Sequence, residues 1–437
     1  MKPTVGLHPA PKARNMPNQN PTLIQAFRVW VKIGILSFGG PAAQIAMMHR
    51  EVVDDKKWLT EEQFMNALSF CMLLPGPEAM QLAIYTGWRT GGTIGGLIAG
   101  LLFVIPGAIV ILALATLYAS LGNIPIVEAV FLGIKATVVI IVIEALLRVA
   151  KKALKRTGHW IIAVLAFIGI FFLNIPYPLI VFIAALYGLF INDVPSSSEE
   201  PIKHHQPITK TFKTIALWLV IWWAPILLLN QITHHEILKE VAAFFSKLAV
   251  VTFGGAYAVL AYMAQDVVIM KGWLSADQMM DGLGLAETTP GPLILVTEFV
   301  GFLAGFAKGG WLLGFAAATV TLWVTFTPCF LWIFAGAPYI DWIGTQPRLR
   351  GALTAITAAV VGVILNLSIW FALHVFFDTV TKTNLGPLTL WQPALTSINP
   401  TVTALAALSG YLLLKRHWNV VWVLLLSGIL ALLTAHF

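Results

Sequence analysis

The chain has 437 residues, 58% of them hydrophobic and only 11% charged, with a formal net charge of +7. Soluble domains carry roughly 25% charged residues, so this composition excludes an ordinary soluble globular protein and points to a polytopic membrane protein. Two cysteines, Cys71 and Cys329, both in apolar runs, exclude a disulfide framework and a cysteine-based metal site.

In chain order, residues 1–21 are polar, basic and rich in Pro and Asn, without the apolar core and cleavage site of a signal peptide. They are expected to form a disordered cytosolic tail. Residues 22–192 then hold six apolar segments, near 22–48, 61–88, 91–120, 124–147, 159–174 and 176–192. Residues 193–237 contain a polar linker (the stretch "NDVPSSSEEPIKHHQP" begins at Asn192) and a connecting helix near 213–233. Residues 238–437 hold six more segments, near 240–263, 277–305, 309–337, 350–377, 394–414 and 418–435. The histidine pairs His204-His205 and His234-His235 lack ligand spacing and are expected to be loop residues.

The two six-segment blocks are related by a repeat. "SFGG" at Ser37–Gly40 returns as "TFGG" at Thr252–Gly255, an offset of 215. The same offset takes Trp58-Leu59-Thr60 to Trp273-Leu274-Ser275, and Pro75-Gly76-Pro77 to Pro290-Gly291-Pro292. The basic cluster Arg148–Arg156 follows the fourth segment of the first block, whereas in the second block the basic residues Arg348 and Arg350 precede it. Positive residues favour the cytosolic side, so the two blocks are expected to run in opposite directions, with the N-terminus cytosolic and the C-terminus outside. The fold class that follows is an all-α polytopic membrane protein, an inverted-topology repeat of two homologous halves with broken or re-entrant helices at the FGG and PGP motifs. Whether the first two segments of each half span or return as hairpins stays open, with positive-inside reasoning favouring hairpins.

Pro-Gly-Pro cannot continue a helix, and in a membrane every freed backbone group needs a partner. Pro suits the first position of a new helix, so Pro41, Pro77 and Pro292 are expected to begin helices whose amides and dipoles face an anion. The expected substrate-binding residues are Gly39, Gly40, Pro41, Pro75, Gly76, Pro77, Lys135, Gly254, Gly255, Thr288, Thr289, Pro290, Gly291 and Pro292. Ser37 and Thr252 flank the breaks as further hydroxyl donors. Lys135 is a cation within an apolar run, which is a functional signal by default; its alternative is an ion pair with a nearby glutamate. His49, Glu51, Glu78, Glu287 and Glu298 are the coupling or gating candidates. The alternative for the stretch around His49 is a solvated loop, and Glu144 has the spacing of a helix-face pair with Arg148.

No nucleotide-binding loop, HExxH or nucleophile motif occurs, so an enzyme or a nucleotide-driven pump is not expected, and neither a cofactor nor a metal is implied. The paired FGG, the stretch "KKWLTEEQF" with its partner "KGWLSADQM", and the paired PGP resemble the chromate ion transporter (CHR) family, in its two-domain, long-chain form. The resemblance runs from about Leu23 to the C-terminus and covers Phe38 and Phe253 as well as the motif glycines and prolines. It implies a secondary transporter exporting chromate from the cytosol across the plasma membrane, conferring chromate resistance, with sulfate as the similar anion. The expected partners are chromate, sulfate, the lipid bilayer, a coupling proton and a second copy in a homodimer, with no nucleic acid. The alternatives are a transporter of sulfate or another oxyanion and, from a different class, a membrane-embedded enzyme or scramblase. The second half departs from the first, with Ala256 for Pro41, Ala264 for His49 and Leu293 for Glu78, so unequal contributions are expected.

Overall fold

The computed structural model describes all residues except 1–20, 39, 123, 191–207, 233–234, 254, 341–345 and 436–437. The N-terminal tail, the polar linker, Gly39, Gly254 and Phe437 therefore lie outside the described residues.

The first half begins with α1 (Leu23–Leu36), α2 (Gly40–His49) and a π-helical turn (Arg50–Asp55). It continues with α3 (Glu61–Cys71), α4 (Glu78–Leu121), α5 (Pro125–Ala153), α6 (Thr157–Phe171) and α7 (Tyr177–Phe190). The connecting helix is α8 (Ile208–Ile232). The second half repeats the pattern as α9 (Glu236–Val251), α10 (Ala256–Ala264), a π-turn (Gln265–Met270) and α11 (Ala276–Thr288). After these come α12 (Val296–Gly336) and α13 (Pro347–Phe376), then a β-hairpin of β1 (Val380–Leu385) and β2 (Leu388–Pro393). The chain ends with α14 (Pro400–Gly410) and α15 (Val420–Thr434).

Local structure obeys the repeat atom by atom. Thr60 and Gln63 form a capping box at α3, and Ser275 and Gln278 form its counterpart at α11. After each π-turn the chain turns at positive φ, Lys57 at 54° and Gly272 at 60°. It then hands a tryptophan amide back to a valine carbonyl, Trp58 to Val52 and Trp273 to Val267.

The first two segments of each half are hairpins. In a straight helix Lys32 and Glu51 would stand about 28 Å apart at 1.5 Å per residue, yet their side chains form an ion pair. Phe244 and Tyr262, with ring centroids 5.8 Å apart, close the second-half hairpin in the same way. Gly282 of α11 packs on Phe299 of α12, which requires the chain to double back at Pro290–Pro292.

Helices α4 and α12 are each bent double. Gly91 and Gly92, then Gly309 and Gly310, leave helical geometry, with φ of 62° at Gly92 and 72° at Gly310. Beyond these turns the backbones close together: Gly87 meets Gly95, and Gly305 meets Leu313, with no room for a Cβ. The outgoing limbs (78–90 and 296–308) are too short to cross a membrane, and the returning limbs (93–121 and 311–336) are long enough. The sequence places a segment boundary near both turns but does not reveal the close return.

The halves interlock. Helices α6 and α7 of the first half pack along α13 of the second, while α14 and α15 of the second pack along α5 of the first. Small residues set these contacts: Gly188 against Gly351, Gly362 against Ala163, and Gly133 against Ser427, whose hydroxyl donates to the Gly133 carbonyl at 2.8 Å. Such small-residue seams let helices approach where lipid offers no hydrophobic drive. Helix α8 rests on α12, with Trp218 stacked on Phe330 at 5.3 Å.

One β-hairpin interrupts the otherwise helical fold among the described residues. Thr381, Thr383, Leu390 and Trp391 suit strands, and Gly386, at φ 61°, followed by Pro387 fits a two-residue hairpin turn. A short 3-10 turn, Leu395–Ser397, then leads to α14, which starts at Pro400, later than its expected segment near 394.

Candidate functional site

The four breaks meet in two junctions, and each junction joins opposite halves. The Gly291 amide donates to the Ser37 carbonyl at 2.9 Å, and the Gly76 amide donates to the Thr252 carbonyl at the same distance. Each PGP glycine of one half therefore satisfies the helix end left open by the FGG break of the other. Both glycines need positive φ, 110° at Gly76 and 89° at Gly291, a region that favours glycine. Gly291 also lies directly on Gly107 of α4, and Gly76 lies on the Cys329 sulfur of α12.

This geometry corrects the expected role of the two glycine amides. They are not free to coordinate an anion, because each already has a carbonyl acceptor. The flanking hydroxyls are also committed: Ser37 donates to Ile33, Thr252 to Leu248, Thr288 to Leu285 and Thr289 to Ala286. Each of these bonds returns to the carbonyl three or four residues earlier, as Ser and Thr do inside helices.

Two glutamines, unremarked in the sequence, complete the junctions. Gln44 of α2 donates from Nε2 to the Gly291 carbonyl at 2.6 Å and to the Ser37 carbonyl at 3.4 Å, bridging the FGG break of one half to the PGP break of the other. Gln81 of α4 donates to the Pro75 carbonyl at 2.7 Å. The corresponding second-half residues are Val259 and Val296, so these clamps belong to the first half alone. A polar residue in an apolar run was the available signal.

The junctions differ in their side chains. At the junction of Pro75–Glu78 with Thr252, Gly255 and Ala256, the Glu78 carboxyl group faces Gly255: a Cβ placed there would stand 3.7 Å from Oε1. A carboxyl group thus occupies the mouth of α10. Close by in sequence, Tyr257 donates to Glu287 at 2.8 Å. At the other junction, formed by Ser37, Gly40 and Pro41 with Pro290–Pro292, Leu293 stands at the position of Glu78. Its helix start at α2 is also the most open of the four: Ala42 and Ala43 are exposed, whereas the starts at Ala79, Ala256 and Leu293 are buried.

Lys135 is held away from the breaks. Its Nζ lies 2.7 Å from Asp277 and 3.5 Å from Asp281, both on α11, and Asp281 also accepts from the Tyr118 hydroxyl at 2.8 Å. The sequence expectation of a glutamate partner is therefore corrected to two aspartates. His49 bonds Glu61, approaches Asp54 at 3.4 Å and packs edge-on against Phe64, and Glu51 is buried under Lys32. Glu144 pairs with Arg148 one turn away, as its spacing predicts. A separate cavity of about 20 Å³, enough for a water molecule, lies among Asn174, Gln265, Asn366, Trp370 and Trp391, and none of the motif residues lines it.

Inverted halves joined at broken helices, with several helices apolar and long enough to cross a bilayer, define a multi-pass membrane protein of the transporter type. The sequence profile described as chromate transporter matches residues 24–189 and again 239–432, and the chain belongs to that family. It is 31% identical over 348 residues to a chromate transport protein of Pseudomonas aeruginosa, spanning 78% of this chain and 79% of that protein. It is 27% identical to a probable chromate transport protein of Synechococcus elongatus, over 89% of this chain and 95% of that one. An uncharacterized transporter of Bacillus subtilis matches 37% of this chain but 83% of its own length, at 30% identity. No solved structure matches the chain.

Proposed function

We propose that the protein is a secondary transporter that exports chromate from the cytosol, with the N-terminus cytosolic and the C-terminus outside, and that it protects the cell from chromate. One observation carries this assignment: the junction of Ser37, Gly40 and Pro41 with Pro290–Pro292, which has Leu293 where the other has Glu78, sits at the open start of α2, where first-turn amides and the helix dipole favour an anion. Gly40 and Pro41 start that helix, and Gln44 fixes the opposing turn. At the second junction the Glu78 carboxyl group already fills the space at Gly255 that an anion would need. Unequal junctions suit a transporter in which one half holds the anion and the other couples its movement to a second ion, taken here as the proton.

Everted membrane vesicles given an inside-acid pH gradient test the proposal. Chromate should accumulate inside them, with sulfate competing and phosphate competing less. Equal accumulation in vesicles lacking the protein would overturn it. Sulfate accumulation that chromate fails to inhibit would assign the chain to sulfate instead.

A further inference from the structure

Glu298 lies six residues past Pro292 on the outgoing limb of α12. It is 1% exposed, and its Oε2 meets no hydrogen-bond donor. Its register sets it on the face shared with Gly301 and Gly305. That face closes on the returning limb, where Gly301 abuts Thr321 and Gly305 abuts Leu313 and Ala317. Thr325, one turn beyond Thr321 on the returning limb, is also buried with its hydroxyl unpartnered. The neighbouring hydroxyls are committed elsewhere: Thr297 donates to Ile294 and Thr321 to Ala317, each at 2.8 Å.

The elements packed against α12 offer Glu298 no counter-charge among the described residues. On α11, Asp281 is held by Lys135 and Tyr118, Asp277 by Lys135, and Glu287 by Tyr257. On α4, Glu78 faces Gly255, and among the described residues Arg89 forms no ion pair with Glu298. On α9, Glu236 pairs with Lys239, Glu240 pairs with Lys271, and Lys247 lies over Tyr262. Lys210 and Lys213 of α8 and Lys308 of α12 itself make no ion pair with it either. The repeat offset places Ala83 at the equivalent first-half position, so this polarity belongs to the second half alone.

We propose that Glu298 is the coupling-proton site, deepening the transport assignment on which it rests. A buried carboxylate with no partner is costly in a membrane. One proton neutralises it: the carboxylate takes a proton from the aqueous side to which it opens and releases it to the other, with no other bond made or broken. The hydroxyl of Thr325 is the unspent donor on the facing limb and serves the carboxylate during the interval when it is charged. Because the limb that carries Glu298 begins one short 3-10 turn after Pro292, its protonation can act on the junction proposed to hold the anion.

The test uses the full chain purified into sodium-free proteoliposomes, with sulfate and chromate as probes. Two rates are measured: accumulation under an imposed pH gradient, and exchange of labelled for unlabelled anion with no gradient. Glu298→Gln should keep exchange and lose gradient-driven accumulation by about tenfold or more, as expected when the proton-carrying group alone is removed. Glu298→Asp should retain part of both. A Gln variant that accumulates anion like wild type overturns the proton site, as does a wild type that needs sodium. Wild type inert in both assays would instead overturn the transport assignment itself. Should the Gln variant fail to fold, carbodiimide labelling of the wild type decides: modification of Glu298 that falls as pH rises supports the site, and absent or pH-independent modification overturns it.

Discussion

Lys135 shows how far a single residue can be read without its neighbours. Its position in "FLGIKATVV" marks it as costly and therefore functional, but its partners lie more than 140 residues away on α11. Asp281 was visible as a carboxylate within an apolar segment, whereas nothing local ties it to Lys135 or Tyr118. Removing one member of a buried pair leaves the other uncompensated, at about 3–5 kcal/mol. The cost here should fall near the low end, since the side chain of Asp277 is 69% exposed. Lys135→Gln is therefore expected to lower the midpoint of thermal unfolding in detergent, and adding Asp281→Asn should restore most of the loss. A double variant no better than the single one would detach the two residues. His49 makes a second case. The hydrogen bond to Glu61, aided by the charges of Glu61 and Asp54 and opposed by slight burial, raises its imidazole above the ordinary 6.5. A raised value means that the charged interaction contributes fully below pH 6.5 and is lost as pH climbs through the folded value. The stability gap between wild type and His49→Gln should accordingly be largest in mildly acidic buffer and vanish in alkaline buffer. A gap that widens with pH would show that the packing on Phe64 dominates.

At the scale of elements, the breaks were legible because proline and glycine leave few conformations open, and the same chemistry recurs at a fixed offset. The hairpins were harder to read, since a broken helix and a folded-back one share the same residues. What decides between them is contact, such as Gly282 on Phe299, and contact has no local sequence signature. The β-hairpin is hard to read from sequence because its short strands lie between two apolar helices. The folded-back geometry also changes what healing a break would do. As a straight helix, Ala-Ala-Ala in place of Pro290-Gly291-Pro292 would extend α11 into α12 and gain helix propensity. In the hairpin, that extension would pull Phe299 off Gly282 and break the bonds of Gly291 to Ser37 and Gln44. The triple-alanine variant should lose stability by several kcal/mol, since burial and two buried hydrogen bonds go together, and should lose sulfate-dependent thermal stabilisation as well. Unchanged melting with intact ligand response would show the turn to be a passive kink.

For the whole molecule, the repeat was readable as an offset of 215, but not the exchange of packing between halves. Each half lends two helices to the long helix of the other, and each supplies the carbonyl that satisfies the other's PGP glycine. Neither half can close its breaks alone. Residues 1–207 and 208–437 expressed separately should therefore be degraded in the membrane, and co-expressed they should assemble and co-purify. A first half that is stable and monodisperse by itself would show that the exchanged contacts are dispensable.

The proposed direction of transport draws on charge at this same scale. An elementary charge crossing a potential of 100 mV gains about 2.3 kcal/mol, so a dianion leaving an inside-negative compartment gains about 4.6 kcal/mol, well over a thousandfold in concentration ratio. A proton entering in exchange adds to that drive, because both movements carry positive charge inward. If two protons left together with each dianion, the charges would cancel and the potential would contribute nothing. A potassium gradient with valinomycin separates these cases in proteoliposomes preloaded with labelled sulfate or chromate. An inside-negative potential should speed anion exit several-fold at constant pH, and an inside-positive potential should slow it. Exit indifferent to potential would mean electroneutral movement with protons, which suits uptake better than export. It would reverse the proposed direction while leaving the family, the junctions and the proposed proton site in place.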